Sequence, residues 1–259
     1  VYRFNGPANG SDVAFSIVYG SDGNLYVAGY SSINIDSMTY FTVLSLTNTG
    51  NLRWVYRYNE ITGVVNAGYD VAYSLVYTSD GNIYAAGKTW NIRSGDDFTV
   101  VSLNSSGNQR WIYKYKGFKN SSDGATSIIY GTDGNLYVAG WSNGFGLSGE
   151  FKDFTVISLT PTGARRWVYI YDGPGKGTDI ANSIVYTRGN TIGAAGTSWG
   201  SGSYSDILVV HMNTVGVAFK IDRYNGPANG WDGAKAVVNN VSPYVSVAGK
   251  SQGVGTDDD

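Results

Sequence analysis

The sequence predicts an all-β protein, a β-propeller of four-stranded antiparallel blades, and three observations predict it. One pattern opens at Asp12, Asp70, Asp123, Asp179 and Asp232, at intervals of 58, 53, 56 and 53 residues. A glycine that closes its second segment recurs with the same intervals, as Gly29, Gly87, Gly140, Gly196 and Gly249. Each copy holds four short β-rich runs separated by turn residues. Four strands in a period of about 40–55 residues describe a propeller blade, whereas a solenoid shows fewer strands in about 20–30.

In the first copy the runs are 14–19, 25–29, 41–46 and 53–58. Gly20-Ser21-Asp22-Gly23-Asn24 joins the first two, a hairpin signal in which glycine supplies a positive φ. It recurs before Ile83 and Leu136. The first strand carries a column of small residues (Ala14, Ala72, Ala125, Ala181, Ala234), as the crowded innermost strand of a blade requires. Its column Ile17, Leu75, Ile128, Ile184 and Val237 is expected to face the neighbouring blade. Trp54, Trp111 and Trp167 follow an arginine on the fourth strand. An indole buries about 150–250 Å², roughly 4–6 kcal/mol gross, so these rings are assigned to packing between blades.

The two ends match each other. Residues 1–10 repeat 221–230, sharing Asn-Gly-Pro-Ala-Asn-Gly, so the chain opens in a fourth strand and closes where a third should begin. The expectation is one domain, 1–259, of five blades, with the strand at 1–5 completing the blade begun by 232–259. A longer parent with more blades is the alternative.

The motif Asp-x-Ala-x-Ser-Ile-Val-Tyr, then Asp-Gly-Asn-Leu-Tyr-Val-Ala-Gly, then Asp-Phe-Thr-Val-x-Ser-Leu resembles the SBBP-type β-propeller repeat of bacterial and archaeal surface proteins. That resemblance spans the chain and implies an extracellular scaffold or adhesion role without a shared catalytic site. The fourth and fifth copies depart from it: Arg188-Gly189-Asn190 and Val241-Ser242-Pro243 replace Asp-Gly-Asn, and Phe219 or Lys220 replaces the tryptophan.

Composition narrows the classes. A formal net charge of −2 without a basic run argues against nucleic acid. No apolar stretch reaches transmembrane length, so no membrane insertion is expected. The absence of cysteine removes disulfides and thiolate chemistry. Sequons at Asn9, Asn104, Asn120 and Asn240, with few Lys and Glu, point to a secreted or cell-surface protein.

Candidates for chemistry are few. His211 is the lone histidine and reads as a sheet residue satisfied by its neighbours. The five copies of Asp12, Asp70, Asp123, Asp179 and Asp232 invite calcium, the one cofactor considered. Their recurrence in every copy reads instead as a turn requirement met by backbone N–H groups. The series Asp97, Asp153 and Asp206 receives the same reading. The connections between second and third strands vary and carry Tyr30, Lys88, Trp90, Trp141 and Trp199, with Trp231 nearby. Aromatic planes among polar groups suit sugars or peptides. The expectation is therefore a non-enzymatic surface module that binds glycans or proteins or self-assembles. A five-bladed glycoside hydrolase or related carbohydrate-active enzyme, using paired carboxylates, is the alternative.

Overall fold

A computed structural model describes residues 1–32, 38–60, 68–117, 122–144, 151–240 and 244–255. The described residues contain strands and no helix. Four antiparallel sheets of four strands and one of two account for them. The first is β1 (Asp12–Tyr19), β2 (Asn24–Ser32), β3 (Thr39–Thr47) and β4 (Leu52–Tyr58). The second is β5 (Val71–Tyr77), β6 (Ile83–Asn91), β7 (Gly95–Leu103) and β8 (Gln109–Tyr115). The third is β9 (Gly124–Tyr130), β10 (Leu136–Asn143), β11 (Lys152–Leu159) and β12 (Arg165–Tyr171). The fourth is β13 (Ile180–Tyr186), β14 (Thr191–Trp199), β15 (Ser205–Asn213) and β16 (Ala218–Tyr224). β17 (Gly233–Asn239) and β18 (Val245–Lys250) form the last. Strand order within each sheet follows the chain, as hairpin connections dictate. The chain divides into two compact units, Val1–Ile128 and Ile129–Asp259.

The recurring residues have local causes. Gly23, Gly81 and Gly134 take φ of 78°, 81° and 77° in the hairpin turns, and Asn190 takes over with φ 53° where the motif is lost. The corresponding turn at Val241-Ser242-Pro243 lies outside the described residues. The glycine that closes each second strand has a different reason. The first strand bulges between Ala14 and Ser16, Ala72 and Ser74, Ala181 and Ser183, and Ala234 and Ala236. The bulge drives the preceding carbonyl onto the glycine opposite. A Cβ on Gly29, Gly87 or Gly196 would lie 1.9 Å from that oxygen.

Consecutive sheets pack face to face within each unit. In unit 1, Tyr26, Ala28, Phe41 and Val43 of the first sheet meet Ala72, Leu75, Ile83, Ala85, Val101 and Leu103 of the second. In unit 2, Tyr137, Phe154 and Val156 meet Ala181, Ile184, Ala194 and Val210. The tryptophans hold repeats together as expected: Trp54 Nε1 donates to the Ser105 carbonyl at 3.0 Å, and Trp167 Nε1 to Thr214 at 3.0 Å. The arginine before each is a polar brace. Arg53, Arg110 and Arg166 donate to Ser45, Ser102 and Ser158 at 2.8, 3.0 and 2.9 Å.

Two expectations need correction. Ile17 is 61% exposed although its counterpart Leu75 is buried, because no sheet of unit 1 precedes β1. Ile17, Val27, Leu44 and Leu46 instead line a hollow of about 470 Å³ with Tyr2 and Phe4. Residues 1–5 carry no strand here. Their counterpart β16 pairs with a third strand, and the third strand of the fifth copy would begin at 256–259, outside the described residues.

Candidate functional site

The five opening aspartates serve the backbone. Asp12, Asp123, Asp179 and Asp232 accept the N–H of Gly6, Gly117, Gly173 and Gly226, six residues back, at 2.6–2.8 Å. Asp70, Asp179 and Asp232 also accept an N–H from the end of the second strand or just beyond it, from Trp90, Trp199 and Gln252. This geometry explains their recurrence and draws each loop onto its sheet.

Asp70 departs from the series. Its position six back is Val64, outside the described residues, and among the described residues its Oδ2, like Asp12 Oδ1, is buried with no hydrogen-bond partner. Burial, only partly offset by the Trp90 N–H and the Lys114 charge, pushes its pKa up to about 7. The Asp96 and Glu60 charges act in the same direction. Glu60 is bonded to the Lys114 ammonium. Burial works against its charge, but hydrogen bonds from Lys114 and Asn91 outweigh it and hold Glu60 below its ordinary pKa. Lys88 pairs with Asp96 at 2.8 Å, and Ser122 Oγ donates to the same carboxylate. The Trp90 ring lies over Gly68. One end of unit 1 thus gathers a carboxyl that keeps its proton near neutrality, an ionised carboxylate, two lysines and an indole.

Tyr30, Trp141 and Trp199, expected on connections, lie near the ends of β2, β10 and β14, and the remaining aromatics separate. Tyr30 sits with its ring centre 6.0 Å from Phe15 and lines the unit 1 hollow. Trp141 is 8% exposed beneath the Lys152 ammonium, 4.5 Å from the ring centre, so it is packing. Trp199 and Trp231 do come together, edge to face at 5.4 Å, joined by Tyr204, which stacks on Trp231 at 5.2 Å. Trp231 and Tyr204 are about half exposed, at 47% and 52%. Tyr204 was legible only as one more aromatic of the 197–206 loop.

His211 is buried, with Nε2 3.2 Å from Asp222 and Phe219 beside its ring. It replaces the brace serine where Phe219 replaces the brace arginine, so packing explains it. Of the sequons, Asn9 and Asn240 are exposed and Asn104 is half-buried, its Oδ1 accepting Ser106 and Asn108 N–H. Asn120 lies outside the described residues.

The sequence matches no family model and no curated protein. Among solved structures, it is similar to a protein of unknown function from Dyadobacter fermentans, with 14% identity, TM-score 0.55, 95% of this chain and 77% of that one covered. It is similar to the Penicillium chrysogenum α-L-arabinanase solved with arabinobiose, with 11% identity, TM-score 0.50, and coverage of 92% and 74%. A GH43 β-xylosidase/α-arabinofuranosidase from a compost metagenome, solved with xylotriose, aligns over 96% and 93% at 11% identity and TM-score 0.45. These likenesses concern the fold. They nevertheless overturn the expectation of a non-enzymatic module, because that expectation treated the fold as a scaffold and an arabinanase shares it.

Proposed function

We propose that this protein is a carbohydrate-active enzyme that hydrolyses glycosidic bonds, with Asp70 as the acid and Glu60 as the ionised partner. In this reading the five repeats are the five blades of a propeller. The observation that carries it is the opposite tuning of two carboxyl groups in one cluster: Asp70 pushed up to about 7 and Glu60 held down. Glycoside hydrolysis needs one carboxyl protonated and another ionised, and environments that push two pKa values apart assign the two roles. Asp70 Oδ1 is fixed by the Trp90 N–H at 2.6 Å, which leaves Oδ2 to carry the proton to the leaving oxygen. Asp70 is 1% exposed, so substrate must open a path to it.

The half-exposed Tyr204 and Trp231 rings support sugar as the substrate class, since apolar sugar faces stack on aromatic planes. Arabinan and its oligomers are the first substrates to try, on the strength of the arabinobiose bound to the similar arabinanase. The test is release of reducing ends by the full chain. Asp70→Asn keeps the acceptor for Trp90 and should lower turnover by about 10²–10⁴-fold, the ordinary contribution of a general acid. Unchanged turnover would reject the assignment.

A further inference from the structure

Three carboxylates converge in the third repeat. Asp153 is the second residue of β11, Asp172 follows β12 and Asp179 precedes β13. One oxygen of each lies within 4.8 Å of the others. Neighbouring repeats neutralise the same place with their own cations. Fifty-six residues earlier stand Asp97, Lys116 and Asp123, and the Lys116 ammonium lies 3.5 Å from Asp97. Fifty-three residues later stand Asp206, Asn225 and Asp232, and Arg223 lies 2.6 Å from Asp206. In the third repeat Asp172 takes the position of Lys116, and Ile170 that of Arg223. Lys176 is bonded to Asp172 at 2.8 Å, but its side chain is 74% exposed and its charge is screened by water.

Asp153 is the independent observation. It is 4% exposed, and among the described residues its carboxylate accepts no hydrogen bond. Its charge is opposed by Asp172 and Asp179 and offset only by the exposed Lys176. Asp179, by contrast, is held by two backbone N–H groups, from Gly173 and Trp199. Gly144 leaves the room: a Cβ there would lie 1.9 Å from Asp153 Oδ2. A buried carboxylate with no donor, and only an exposed lysine to offset two neighbouring carboxylates, is costly, and a bound cation removes the cost.

We propose that Asp153, Asp172 and Asp179 bind a calcium ion, which stands where Lys116 and Arg223 serve the second and fourth repeats. Oxygens bound to one calcium at about 2.3–2.6 Å lie at most about 5 Å apart, which accommodates this spread. Magnesium, with ligands at about 2.0–2.1 Å in strict octahedral geometry, suits it less well. Calcium takes six to eight oxygens, so water and backbone carbonyls complete the shell. Of the five opening aspartates, only Asp179 belongs to this cluster.

The test uses the full chain stripped with a chelator and titrated with calcium chloride alone. Calorimetry should find one calcium per chain. The Tm should rise by about 5–10 °C at a hundredfold excess over Kd. Asp172→Lys restores the residue of the second repeat and should fold, melt no lower than the stripped wild type and ignore calcium. Asp153→Asn should also lose the calcium response. An unmoved wild-type Tm at millimolar calcium, or an undiminished response in either variant, would overturn the site. An equal response to magnesium would overturn the choice of ion. Because the readout is metal binding, a failure to cleave sugars leaves this proposal standing.

Discussion

Gly196 and the Ile180 carbonyl are in such close approach that a Cβ on the glycine would lie 1.9 Å from the oxygen. The bulge between Ala181 and Ser183 causes it, and the same pair of features recurs at Gly29, Gly87 and Gly249. The landmark glycine is thus required by the backbone opposite. Gly196→Ala should destabilise unit 2 by at least about 2 kcal/mol in denaturant melts, since neither partner is a flexible side chain. Gly50, with φ 88° and open space around it, makes the contrast. There Gly50→Ala should cost only about 1 kcal/mol, through backbone strain.

Trp54 and Trp231 should separate stability from binding. Trp54 rests on Gly107 and bonds Ser105 across two repeats, so Trp54→Ala should cost about 3 kcal/mol. Trp231 is 47% exposed, and Trp231→Ala should leave Tm within a degree or two while weakening sugar binding. A Trp231→Ala variant with undiminished affinity in sugar titrations would remove the Tyr204 and Trp231 rings as a sugar platform.

Removing Arg223 should leave the Asp206 carboxylate, 8% exposed, without its 2.6 Å partner. Arg223→Ala should cost about 2–3 kcal/mol at neutral pH, less than a fully buried pair because the arginine keeps some exposure. Denaturant melts measure the loss; an Arg223→Met variant that keeps full stability would point to packing of the arginine stem instead.

Asp70 predicts a pH slope. Its carboxyl rises from 3.8 to about 7 on folding, so between those values the folded chain binds more protons than the unfolded chain. Stability should therefore fall as pH rises through this window and level off above it. Asp70→Asn should flatten that part of the profile, measured in chelator so that calcium does not contribute. An unchanged profile would remove Asp70 as a carrier of the proton.

Much of the fold was legible because recurrence exposes packing. Leu75, Ile184 and Val237 could be placed on a buried face from spacing alone, and Trp54 and Trp167 from size. Ile17 could not, since its sequence context equals that of its buried sisters and only the absence of a covering sheet in its unit exposes it. The site was legible in fragments. Lys88, Trp90, Trp199 and Trp231 stood out as loop residues, but Glu60 gained a meaning only once Lys114, 54 residues away, was seen to bond it. Asp172 gave no signal by itself. Its signal is the comparison with Lys116, which needs the repeats aligned at side chains that do not recur.

The most direct test of the central claim is the pH dependence of kcat/KM on the best oligosaccharide. A wild-type profile that falls above about pH 7, with Asp70→Asn losing both that limb and most of the turnover, is the outcome this account predicts. Wild-type turnover and an intact alkaline limb in Asp70→Asn would contradict it.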